Sequence, residues 1–180
     1  MKESLNTLRL VSTVIAERDL DYRWLEANLP VLGDGTTHYY LQGPVFNATT
    51  PDGRWNPAED DNVLPKDMGA VKGTDLADIC DQAGGMGPEE TVLVEASDGF
   101  SKAFPYAMIY EPDPRQGPVV LAWYRQGEGY VPSYQTGMRL VFFADTSTNP
   151  QGVHAFGNWD AHECVAPEYW HFYYQGSEKY

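Results

Sequence analysis

Val71-Lys72-Gly73-Thr74-Asp75-Leu76-Ala77-Asp78-Ile79-Cys80-Asp81-Gln82-Ala83-Gly84-Gly85 decides how the rest of the chain is read. Leu76, Ile79, Cys80 and Ala83 fall at i, i+3, i+4 and i+7, which makes one apolar helical stripe. Thr74 suits the N-cap, and Asp75 and Asp78 place negative charge in the first turn, where the helix dipole favours it. Gly84 and Gly85 supply a left-handed stop. A Gly-rich link then leads to Thr91-Val92-Leu93-Val94-Glu95-Ala96, a β-rich run, followed by Ser97-Asp98-Gly99 and Phe100-Ser101-Lys102-Ala103-Phe104. Asp-Gly between two such runs is a hairpin signal, because a tight turn needs residues that tolerate positive φ. The unit expected is helix, link, strand, tight turn, strand.

Outward from this unit the elements are short. Leu8 to Thr13 alternates as a strand, and Glu17 to Leu29 reads as a short helix with Asp19 as cap and Pro30 closing it. Gly33-Asp34-Gly35 is a turn, and Thr36 to Leu41 is a β-branched and aromatic strand. Asn47 to Asp67 is rich in Pro, Gly and Asp and reads as a long loop. Pro118-Val119-Val120-Leu121-Ala122-Trp123-Tyr124 is the central-strand candidate, Gly127-Glu128-Gly129 turns it, and Met138 to Ala144 is the next strand. Asp145 to Gly152 is turn chemistry. No internal repeat or composition shift marks a second domain, so one α+β domain over residues 1–180 is expected, with mixed and antiparallel sheets and a few short helices.

Composition narrows the partners. The chain has 180 residues, enough for one real core, with 42% hydrophobic and 13% aromatic residues. The formal net charge of −14 disfavours nucleic acid or an anionic membrane, since no basic stripe offsets the repulsion. No apolar run approaches the roughly 20 residues of a spanning helix. The amino end carries an acid and lacks a long apolar stretch, so no signal peptide is read, although a trimmed chain looks the same. Of two cysteines, Cys80 sits on the apolar stripe and reads as core. Pairing with Cys164 stays open.

The helix "VKGTDLADICDQAGG" followed by "VLVEASDGFSKAF" resembles the molybdopterin-binding domain of the sulfite oxidase-like family. There a "GV-L-LL-AG" helix leads into an "A-DGYS" hairpin. Gly137-Met138-Arg139-Leu140-Val141 is similar to its "GPLRLV" strand. The resemblance spans about Leu8 to Phe143 and is sharpest over Val71 to Phe104. It implies the family's α+β fold, a pterin cofactor whose metal is held by a cysteine thiolate, and, from exported relatives, an extracytoplasmic location. The family's cysteine follows an early strand. Here that stretch is Tyr39-Tyr40-Leu41-Gln42-Gly43-Pro44-Val45-Phe46, without cysteine, and no other side chain in it replaces a soft thiolate. The expectation is therefore a binding or accessory domain on an oxidoreductase scaffold that has lost thiolate–metal redox catalysis. An active molybdopterin-dependent oxidoreductase is the alternative. The ligand is expected between the loop before Val71 and the later His-rich insertion.

That insertion, at about residues 145–175, supplies a second alternative. If Asp160 to Cys164 is extended, period two puts Asp160, His162 and Cys164 on one face. His154, His162, Cys164 and His171 together suit zinc or another borderline metal, although no tight zinc spacing is present. The other reading makes the His and Asp turn caps and Cys164 a packing residue. A Cys164–His162 nucleophile pair lacks an orienting third group. Asp52 to Asp61 could hold Ca²⁺ or stay solvated, and Asn47-Ala48-Thr49 fits a glycosylation sequon. Trp159, Tyr169, Trp170, Phe172, Tyr173 and Tyr174 fill core or face a small-molecule or protein partner. Either Glu168 to Tyr174 takes the place of the family's closing strand, or a sheet edge stays open for homodimer pairing.

Overall fold

The computed structural model describes residues 7–11, 17–41, 66–97, 99, 101–134, 137–169, 171–174 and 177–179. It is mixed α+β, with short helices against sheets, as the sequence leads one to expect. The loop from Asn47, its acidic stretch, the sequon, Asp98 and Trp170 lie outside the described residues, apart from the loop's last two positions.

Thr7–Val11 (β1) and Glu17–Asp21 (β2) form an antiparallel pair. The helix expected from Glu17 therefore starts later, at Tyr22–Asn28 (α1). The cap is Asp21, not Asp19: its carboxylate accepts from the Trp24 amide at 2.9 Å. A long-range pairing has overridden a local helical pattern. After the turn at Gly33 to Gly35, Asp34 accepts from the Thr36 and Thr37 amides at 2.7 Å each, so the next strand begins only at His38 and runs to Leu41 (β3).

The larger correction falls on the opening stretch. Asp67–Asp75 is one long strand (β4), and the helix occupies only Leu76–Asp81 (α2). Thr74 is in the strand, fully buried, and its hydroxyl accepts from the Trp123 indole N–H at 3.1 Å. Asp75 caps instead, accepting from the Ala77 amide at 3.0 Å. The stop is as expected, with Gly84 and Gly85 at positive φ. Thr91–Glu95 (β5) and Ser101–Pro105 (β6) make the hairpin, but five residues join Glu95 to Ser101, so it is a wider loop than a two-residue turn. Tyr106–Tyr110 (α3) follows.

Val119–Arg125 (β7) is the central strand. It pairs antiparallel with β4, with Gly129–Tyr130 (β8) and with Arg139–Phe142 (β9). His154–Phe156 (β10) adds in parallel to β3, giving the order β10-β3-β4-β7-β8 with β9 also on β7. Opposite β4, the register jumps from Tyr124 to Ala122. Trp123 is therefore a bulge, which bends and twists the strand. The bulge and alternation sort side chains to two faces. On one, Val119, Leu121 and Trp123 join Leu25 of α1, Leu76 and Ile79 of α2, and Ile109 of α3 in the main core. On the other, Ala122 packs with Tyr39, Val71 and Val141, against which Phe143 rests.

Asn158–Cys164 (α4) is helical, so the extended period-two face of Asp160, His162 and Cys164 does not form. Asp160 reaches back to the Gly157 amide at 2.8 Å and starts the helix. The aromatic tail neither joins the six-stranded sheet nor runs singly: His171–Tyr174 (β11) pairs with Ser177–Lys179 (β12) as a separate ribbon. Both cysteines are free. Among the described residues no helix is long and apolar enough to cross a membrane.

Thr74→Val keeps the shape of this core and removes the acceptor of a buried indole N–H. We expect a loss of about 1–3 kcal/mol in urea unfolding, with an unchanged slope.

Candidate functional site

The face of the sheet away from α1, α2 and α3 carries an open cleft of about 540 Å³. Its wall is an aromatic stack: the rings of Tyr39, on β3, and Phe143, just past β9, lie 3.8 Å apart and within 9° of parallel. Bare backbone holds Phe143 in place. A Cβ at Gly33 would come 3.1 Å from the Phe143 ring and 2.3 Å from the Val71 carbonyl oxygen, and one at Gly117 would come 2.0 Å from the Phe143 carbonyl oxygen. Both glycines have positive φ, +80° and +65°. No other residue satisfies the backbone angle and the space together.

The polar side of the cleft comes from the segment that follows. Phe143 N–H donates to Pro118 at 3.0 Å and Asp145 N–H to Pro114 at 3.1 Å, which pins the rim. Asp145 caps a short 3₁₀ turn at Thr146–Thr148. Its carboxyl is held below the usual range by the Ser147 amide, then by the Ser147 hydroxyl, with the Thr146 amide and the nearby His154 adding to the effect. His154 opens β10, its ring tilted against Tyr39 with centroids 5.1 Å apart. His154 Nδ1 lies 2.7 Å from the Ala144 carbonyl oxygen. A carbonyl only accepts, so Nδ1 carries the proton, and Nε2 is the nitrogen left for a ligand.

Of the four residues expected to hold metal, His154 is the one that the described lining of this cleft includes. Cys164 lies in α4 and donates to the Asp160 carbonyl at 3.0 Å. His162 is in the same helix and His171 in β11, with side chains outside the described set. Among the described residues no three His, Cys, Asp or Glu side chains converge as a metal site. Asp160 is buried and pairs with Arg115 at 3.1 Å. Burial raises its pKa, against the opposing pull of the Gly157 amide and Arg115. Burial also pushes the Cys164 thiol up to about 12, helped by Asp113 and Asp160. The Cys80 thiol is pushed up to about 11 by burial and by Asp81 and Asp75. Neither sulfur is a thiolate near neutral pH.

Tyr39, Phe143, Asp145, Gly33 and Gly117 are the site residues that sequence reasoning left as strand or turn. Their one local signal is Gly117-Pro118 ahead of the central strand. A phosphate-bearing pterin needs cations around its phosphate and a soft ligand for its metal. Among the described residues the cleft lining holds neither Lys, Arg nor Cys, and Arg115 nearby is engaged with Asp160. These residues do not fit that group. Residues 42–46, where the family's thiolate is expected, lie outside the described set and contain no cysteine. No family model matches this chain, and no curated protein or solved structure matches it either.

Gly117→Ala is expected to cost about 3 kcal/mol or more in thermal or urea unfolding, because backbone strain and overpacking add. Gly127→Ala shares the positive φ but meets open space, and should cost only about 1 kcal/mol. Iodoacetamide should leave both thiols of the folded protein unmodified at pH 8, label them as pH rises towards the values above, and label them rapidly in urea at pH 8.

Proposed function

We propose that this chain is a small-molecule binding or accessory domain on a scaffold like that of the molybdopterin-binding oxidoreductases, without their thiolate–metal redox step. The observation that carries the reading is the preformed cleft. Aromatic rings, a braced imidazole and an ionised carboxylate converge there, while both sulfur atoms are protonated and sit elsewhere. The composition of the lining, mostly apolar with a few placed polar groups, is that of ligand pockets in general. The resemblance over Val71 to Phe104 supports the scaffold, since a helix does feed through a link into the β5–β6 hairpin.

One observation favours a second reading. Histidines that bind metal through one nitrogen commonly donate the other N–H to a carbonyl, as His154 does to Ala144. In that reading His154 is one ligand of a metal completed by His162 or His171, whose side chains lie outside the described set.

Elemental analysis of the purified protein with its visible spectrum separates these readings. The binding-domain reading expects no stoichiometric molybdenum, tungsten or zinc and no visible band. Stoichiometric molybdenum or tungsten contradicts it in favour of an oxidoreductase. Stoichiometric zinc that disappears in His154→Ala contradicts it in favour of the metal domain.

A further inference from the structure

We infer that the cleft selects a flat organic cation, an amidinium- or protonated aminoheterocycle-type group, over anions of the same shape. The inference rests on the binding-domain reading and gives its ligand a class.

Several backbone donors of the rim are committed to the protein's own carbonyls. Two of its lining residues, Pro114 and Pro118, have no amide N–H at all. The amides of Gly117, Phe143 and Asp145 donate to the carbonyls of Asp113, Pro118 and Pro114. The Ser147 amide is held by Asp145 itself. These four amides are therefore not offered to a ligand. The polar side chains among the lining residues include the ionised Asp145, the Thr146 hydroxyl, and His154, whose Nε2 accepts when the ring is neutral because Nδ1 is committed to Ala144.

Charge points the same way. Among the described residues no Lys or Arg lines the cleft. The chain as a whole carries −14, so its field attracts cations and repels anions at every approach. Flatness follows from the wall. Aromatic rings present π-faces and edges that favour planar partners, and a cation gains further from the ring quadrupole. A carboxylate against a planar N–H fork also gives charge-assisted, directional bonds that a rounded ammonium does not match.

Calorimetric titration of the intact chain with benzamidine, benzamide and benzoate tests this at one ring shape and three charges. Saturable benzamidine binding is expected, roughly tenfold or more tighter than benzamide or benzoate, since a charge-assisted bond replaces a neutral or repulsive contact. Asp145→Asn keeps an oxygen to cap the 3₁₀ turn and should weaken benzamidine by about tenfold. Glu95→Gln, on the hairpin away from the cleft, should leave it unchanged. Benzoate or benzamide binding as tightly as benzamidine overturns the ligand class while leaving the cleft a binding site. Benzamidine binding that is insensitive to Asp145→Asn, or equally sensitive to Glu95→Gln, overturns the inference as a bulk-charge effect. Failure of all three probes to bind removes the cleft as a small-molecule site, and the proposed function with it.

Discussion

Strand β4 lies against β7 only because position 73 has no side chain. A Cβ there would stand 2.4 Å from the Leu121 carbonyl oxygen and 2.8 Å from the Ala122 Cα. At the same level the Leu32 and Gly73 backbones exchange two hydrogen bonds of 2.9 Å, so the loop after α1 is seated on the other side of β4. One residue further, Trp123 bulges from β7 and sends its indole to Thr74. The close approach and the bulge together bend the sheet, and the bend has two products. It turns Trp123 and its neighbours into the helical core, and it leaves β3 near the end of β9, where Tyr39 meets Phe143.

The cleft is thus a by-product of how the backbone closes. Gly33 and Gly117 let two loops press on Phe143 from either side, and the pinned rim carries Asp145 to its place. The same economy shapes the chemistry: rim amides that hold the backbone together are not available to a ligand. What remains is a cleft with an aromatic wall and Asp145, Thr146 and His154 among its lining residues. The sulfur chemistry expected of a thiolate-anchored metal is quenched elsewhere, since burial and neighbouring carboxylates hold both thiols protonated.

Much of the fold was legible from local pattern. The run from Pro118 to Tyr124 read as the central strand because it is apolar on both faces, and Gly84-Gly85 ended α2 as glycine pairs do. Two of the misreadings share one physical cause, a long-range partner that overrides the local pattern. Thr74 read as the helix cap from its neighbours, and only the buried indole of Trp123, far along the chain, makes it a strand residue. Glu17 to Asp21 gave way to β1 in the same manner. The extended face of Asp160, His162 and Cys164 is one of two readings of that segment; the other, with Asp160 as a cap and Cys164 packing, is nearer the structure, where Asp160 closes the first turn of a helix. His154 stood out because histidine is rare here, with four in the chain. Its partners did not, because Tyr39 and Phe143 meet only after the sheet has curled, and Asp145 looked like any turn aspartate.

The most direct test of the account is a set of nuclear Overhauser contacts from the Phe143 ring protons in the free protein. A cleft held in shape by bare backbone predicts strong contacts to the Tyr39 ring and to the α-protons of Gly33, present without any ligand. A Phe143 ring that shows neither, while contacts within the main core are intact, would mean that the cleft is not preformed.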